Sequence, residues 1–482
     1  MSLLTALARA QAVEAGRAQP LTTVRHTYLS DRPLVLVPLA LAGEAAAPLA
    51  AMVGDDEAAP TTLIVNNPRD RTQRFSFVAE LAGIVLSYVN RRTRTVEPNP
   101  ASRGTKMRYA DAPQLLVPNA GGLEFIRLLG RSTRFRRTYG QFAVHRSVPQ
   151  LGQWLTFFRD RADHAGSAML LALTEVLAAH WATGQSNLED ASLAALLGWI
   201  DPAEGLDGPR AAALAEDPLL WPPAGPSTDP SFDNEILAPA LTSGNPRSLE
   251  TALRSQLEPT WGLMWRAVRL LRALPEGASV PVRWAADRDV FTAYQASIMD
   301  GAALPQPRVD SAVAAAGRLD RLEREQARYD AQRALDDPLV MAEFRLAGEA
   351  FAGTVVAADP KRRDTSGKRP VLRPHITVET SDPVQLDPGM TFVSPARPAQ
   401  TATVVEVDLP LVVLELAGGM GRKLTADEGS IPGLGEAVTY GPATDAYQPP
   451  GRLPSRDATP WTHGGPPAEY VPSDTDAGEE WS

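Results

Sequence analysis

The hydrophobic spacing of this chain changes once, near residue 350, and that change limits what it can fold into. From Val148 to Glu349 apolar residues recur at helical spacing, and from Phe351 onward they alternate in short runs. A helix-period pattern does not settle into a sheet, nor a period of two into a helix. The chain must therefore hold both kinds of structure in separate stretches. Its 482 residues also exceed one ordinary hydrophobic core. The expected fold class is multidomain α+β.

The segment before the helical stretch mixes both periods. Residues 1–17 read as a short amphipathic helix, and 34–37, 62–65 and 114–117 read as strands bounded by turn formers. A helix is expected over 73–90, where Phe77, Leu81, Ile84, Val85 and Tyr88 share a stripe, and another over 123–129. Residues 1–140 are thus expected to form an α/β domain. A central all-α domain is expected over 141–305, with helices over 149–158, 167–181, 186–197, 248–256, 259–274 and 287–299. Ser186 and Glu189 have the spacing of a capping box. Pro, Asp and Gly mark 201–246 as a long connection. Residues 306–350 read as a long charged helix over 309–332, interrupted by Asp336-Asp337-Pro338 and restarting at Pro338. Five short strands within 351–440 predict a small closed or nearly closed β-barrel, OB-like or SH3-like. Residues 441–482 are Pro-rich and acidic, and are expected to be a disordered tail carrying Trp461 and Trp481.

Composition excludes several classes of chemistry. With no cysteine, the chain has no disulfide, thiolate ligand or Cys nucleophile. Its apolar runs near 34–42 and 168–179 are far too short to span a bilayer, and the first ten residues lack a secretory pattern. A cytoplasmic protein without membrane contact is the expectation.

Charge is distributed unevenly. Residues 66–161 contain 17 Lys and Arg against 6 Asp and Glu, a net +11, which leaves −21 on the rest of a chain whose total is −10. Arg outnumbers Lys 43 to 4 throughout, so clustering carries the signal rather than number. A local field of this sign attracts a polyanion or an acidic surface. Arg91, Arg92 and Arg94 form one group, followed by Arg103, Lys106 and Arg108; Arg127, Arg131, Arg134, Arg136 and Arg137 form another. Phe135, Tyr139 and Phe142 interleave with the second. Guanidinium groups neutralise phosphates while aromatic faces stack on unpaired bases. The same arginines could instead pair with the acidic remainder of the chain. Lys361, Arg362, Arg363, Lys368 and Arg369 form a third basic group, between the first two barrel strands.

A separate candidate is a pair of loops. Arg69, Arg71 and Arg74 follow one strand, and Gly121 and Gly122 follow another. If those strands are parallel, both loops lie at one sheet edge beside helix N-termini, where an anion can be bound. Two polar turns with solvated arginines would read the same way.

Motifs for catalysis are missing. Thr365-Ser366-Gly367-Lys368 resembles the end of a phosphate loop, but Arg369 replaces the Mg²⁺-binding hydroxyl and Pro370 bars the helix. There is no G-x-S-x-G elbow and no H-E-x-x-H. His180, on an apolar stripe, reads as a core histidine, and Asp160 with His164 as a local ion pair. The sequence therefore predicts no catalytic residue, metal or cofactor. It predicts a non-enzymatic nucleic-acid-binding or accessory protein, single strands favoured, working beside a helicase or nuclease. An adaptor with an acidic protein partner is the alternative, and an enzyme acting on a phosphorylated small molecule at the paired loops a second.

Overall fold

A computed structural model describes residues 2–41, 47–98, 104–219, 221, 225–301, 312–367, 369–421 and 423–443. The tail, with Trp461 and Trp481, lies outside the described residues, as do Arg103 and Lys368. The protein is mixed α+β and carries a closed six-stranded β-barrel in its C-terminal region.

The N-terminal part is built on a five-stranded sheet in the order Thr61–Ile64, Pro48–Gly54, Leu34–Ala40, Leu115–Val117, Leu170–Ala172. Pro48–Gly54 runs antiparallel to both of its neighbours, and the last three strands are parallel. Leu34–Ala40 is buried at every position, as a strand covered on both faces must be. Its side chains alternate between two cores. Leu34 and Leu36 face a core shared with Phe77, Leu81, Trp154, Phe158, Trp284 and Phe291. Val35, Val37 and Leu39 face the other, with Leu196, Phe232, Trp261, Met264 and Leu271.

Helices from residues 147–299 thus pack on both faces of the sheet. The boundary expected at residue 140 runs through a shared core, because Trp154 and Phe291 fill the same layer as Leu36. Residues 167–181, expected as one helix, contain the edge strand Leu170–Ala172 and only then the helix Leu173–Ala178. A continuous apolar run has no period to separate the two. The connection over 201–246 holds the helix Gly208–Leu214 and the π-turn Asp233–Leu237, with Phe232 and Leu237 buried. The Ser186–Glu189 capping box forms reciprocally, each backbone N–H donating to the other's side chain. It opens a short 3₁₀ turn, and Ser192 caps the α-helix Leu193–Ile200.

The charged helix spans Ala312–Asp336, and Pro338–Leu346 follows. The corner between them is pinned to the sheet-bearing part. Asp336 accepts hydrogen bonds from the N–H (2.9 Å) and hydroxyl (2.8 Å) of Ser279. Asp337 is buried and accepts from the N–H groups of Thr23 (2.6 Å), Val24 (3.2 Å) and Leu339 (2.9 Å). Burial alone would raise its pKa. Contact with His26 and these N–H donors outweighs that and holds the carboxyl at about 2.

The barrel closes in the order Phe351–Asp359, His375–Glu379, Leu411–Ala417, Arg397–Asp408, Thr391–Ser394, Ala437–Pro442. The sixth strand, Ala437–Pro442, completes the ring that five strands would leave open. Phe351, Val355, Ile376, Val378, Leu414 and Tyr440 fill the interior, so it is a packed core. No helix among the described residues is long and apolar enough to cross a membrane.

Candidate nucleic-acid interface

Two segments far apart in sequence meet at the N-terminus of the helix Arg71–Asn90. Asp70 caps that helix, accepting from the Gln73 N–H (2.8 Å). The Gln73 side chain turns back to accept from the Asn67 N–H (2.8 Å), which fixes the preceding loop. Arg71, now positioned, donates to the carbonyl of Phe142 (2.8 Å). Its guanidinium also lies 4.7 Å from the Phe75 ring centroid and 5.8 Å from that of Phe142. Arg136 reaches the same Phe75 ring at 5.5 Å and donates to the Ser132 carbonyl (2.9 Å). Arg71, Phe75, Arg136 and Phe142 therefore form one cation–π cluster joining the two segments.

The loop after the helix Ala120–Thr133 is closed by a bond from the Val144 N–H to the Arg137 carbonyl (3.0 Å). Gly140 turns it with a φ of +85°, a conformation that favours glycine. Tyr139 is left 70% exposed and Phe142 62% exposed. Arg137 lies 6.0 Å from the Tyr139 ring, and Arg134 lies 4.6 Å from the Phe135 ring. Gly152 lets this corner approach the helix Ser147–Ala162: a Cβ there would sit 2.3 Å from the Arg134 backbone nitrogen. Residues 131–146 contain five arginines and no carboxylate, so nothing within the loop offsets its charge. Arg69, Arg131, Arg137 and Arg146 are exposed, whereas Arg74 is buried.

Other expected residues are placed elsewhere. Arg91 pairs with Asp55 (2.9 Å). Arg92 donates to the Ala112 carbonyl (3.2 Å) and packs on the Tyr88 ring at 4.3 Å. Arg94 contacts the Tyr109 hydroxyl (3.4 Å) and Met299 sulfur (2.7 Å). On the ribbon made by Arg94–Pro98 and Thr105–Tyr109, Arg108 pairs with Glu97 (2.7 Å) and Asp289 (2.8 Å), and Lys106 with Asp289 (3.3 Å). Arg127 pairs with Glu124, whose carboxyl is held below the usual range chiefly by that bond. Part of the +11 excess is thus met by carboxylates from outside the segment, Asp55 and Asp289.

In the barrel, Glu415 gathers Arg362 (2.6 Å), His375 (3.4 Å) and Arg373 (3.9 Å). Lys361, Arg363 and Arg369 are exposed beside them.

The strands ahead of the two paired loops do run in the same direction, although two other strands separate them. No residue of the first loop lines the cavity beside the second. A Cβ at Gly122 would meet Val117 at 2.7 Å, and one at Gly121 would meet Pro226 at 2.6 Å. These glycines permit close packing of helix on strand and of residues 225–226 over the turn. The cavity beside Asn119 and Gly122 is about 30 Å³, room for water and for no metabolite.

His180 is a core residue. Its Nδ1 faces the Val176 carbonyl (2.7 Å), its Nε2 accepts from the His26 N–H (3.1 Å), and burial pushes its pKa down to about 4. His164 lies 3.8 Å from Asp160 and 2.5 Å from Glu325 of the charged helix. Hydrogen bonding to Asp160 and Glu325, against burial, raises its pKa to about 9. No group of three metal-capable side chains occurs among the described residues.

The Arg131–Tyr139 run was visible in the sequence because its members are neighbours. Phase matching by Arg71 and Phe75 was not; their i, i+4 spacing on a helix was the available signal. No protein-family model, curated protein or solved structure matches this chain.

Proposed function

We propose that this chain is a non-enzymatic nucleic-acid-binding protein that holds single strands at the surface formed by residues 69–75 and 131–146. The observation carrying this reading is the cation–π cluster of Arg71, Phe75, Arg136 and Phe142, beside which Tyr139 projects into solvent. Exposed aromatics among guanidinium groups offer both stacking platforms and phosphate contacts. Duplex bases are already stacked and give such rings little to do, which favours single strands. Arg91, Arg92 and Arg127 contribute less in this reading, since carboxylates already pair with them.

The barrel, taken as OB-like or SH3-like, would add Lys361, Arg363 and Arg369 as a second backbone contact. An accessory role beside a cytoplasmic helicase or nuclease is part of this reading. Fluorescence anisotropy with single- and double-stranded oligonucleotides of one sequence tests the reading. Tighter binding of the single strand supports it. Equal or stronger duplex binding removes the stacking argument, and no binding to either removes the function.

A further inference from the structure

A cavity of about 220 Å³ lies where the charged helix Ala312–Asp336 rests against the helix Val280–Met299 and the turn after Ser147–Ala162. Its lining includes Arg161, Arg283, Arg328, Ser167, Tyr329 and Gln332. The carboxylates at its wall are already bound. Asp287, 1% exposed, accepts from Arg161 (3.1 Å), the Ser167 hydroxyl (2.7 Å) and the Ala168 N–H (2.8 Å). Glu325 is paired with His164 (2.5 Å).

Two of the arginines are not neutralised in this way. Arg283 donates only to neutral acceptors, the Gln332 side-chain oxygen (2.8 Å) and the His26 carbonyl (2.8 Å). It forms no ion pair with any described carboxylate, and Asp336, which acts on it from further away, is committed to Ser279. Its guanidinium also packs 5.0 Å from the Tyr329 ring, and burial lowers its pKa. Arg328, exposed on the charged helix, has no hydrogen-bond or ion-pair partner among the described residues. Gln332 spends its oxygen on Arg283, leaving its amide NH₂ as a donor. Arg283 is half-buried, and charges so placed are normally paired, so this arrangement has room for an anion.

We propose that this cavity binds a terminal phosphate monoester, held between the guanidinium groups of Arg283 and Arg328 with the Gln332 amide as a further donor. Two uncompensated guanidinium charges match a group carrying about −1.5 to −2 at neutral pH better than a single carboxylate. The volume is below the roughly 300–1,000 Å³ of pockets for drug-sized ligands, so the bound part is small. A free sugar phosphate and the phosphorylated end of a nucleic-acid strand present the same chemistry. The site is independent of the Arg71–Tyr139 surface.

Isothermal titration of the full chain with inorganic phosphate and with ribose 5-phosphate tests the proposal. Single-site binding is expected, weakened at least tenfold by Arg328→Glu and kept by Arg131→Ala/Arg137→Ala/Arg146→Ala. Arg328 is exposed and makes no hydrogen bond or ion pair with any described residue, so the variant should melt as the native protein does. An oligonucleotide with and without a 5′-phosphate then separates the sources. A phosphate-dependent gain lost in Arg328→Glu assigns the strand end, and ribose 5-phosphate binding without that gain assigns the sugar phosphate. Absence of phosphate and ribose 5-phosphate binding at millimolar concentration, or undiminished binding by Arg328→Glu, overturns the site.

Discussion

Tyr139 shows what a single residue contributes to the proposed contact. Its ring is 70% exposed, so the fold gains little from it, while Arg137 approaches its face at 6.0 Å. A base stacked there should be worth ~1–3 kcal/mol by alanine substitution. Tyr139→Ala is therefore expected to weaken single-strand binding by roughly fivefold to a hundredfold and leave Tm unchanged. Unaltered affinity would take Tyr139 out of the interface. At this scale the sequence was legible where partners are neighbours, as in the run from Arg131 to Tyr139. It was not legible where the partner comes from afar. Arg108 meets Asp289, 181 residues on, and Arg71 meets Phe142, 71 residues on. Charge counting along a segment cannot see either partner.

Among the elements, the charged helix Ala312–Asp336 is held by a titratable contact. His164 ties the sheet-bearing part to it through Glu325. The folded pKa of His164, about 9, lies above the ordinary 6.5, so this contact contributes its full stability below pH 6.5 and loses it as pH rises through 9. Buried His180 has the opposite sign. Its folded pKa of about 4 lies below 6.5, so the unfolded chain takes up a proton first and stability falls from pH 6.5 toward 4. Thermal melts across this range should peak near neutrality. His164→Gln should flatten the alkaline limb and spare the acid limb; an unchanged alkaline limb would show that the pair does not hold the helix. Periodicity found this helix, because its face is long and regular. It missed Pro48–Gly54, where small Ala residues on a strand covered on both faces give no alternation, and it misread Leu170–Ala172 within an unbroken apolar run.

At the scale of the whole molecule, one sheet serves two cores. Trp154 belongs to one and Trp261 to the other, each nearly fully buried. Because Leu34–Ala40 contributes alternate side chains to both, loss of either layer exposes the same strand. Trp154→Ala and Trp261→Ala should each cost ~3–5 kcal/mol and lower the same calorimetric transition. Two transitions, each moved by only one variant, would mean the layers fold separately. The shared core also explains why a boundary near residue 140 could not be read from the sequence. Helical spacing identifies a helix but does not say that it lies on a sheet laid down a hundred residues earlier.

The most direct test of the proposed function is the salt dependence of single-strand binding, measured on the native chain and on Arg131→Ala/Arg137→Ala/Arg146→Ala. Between ~50 and ~200 mM salt, contact with about four phosphates predicts a slope of log K against log salt near −3. Removing the three exposed arginines should bring it to about −1. A native slope near zero, or a variant slope equal to the native one, would contradict the account.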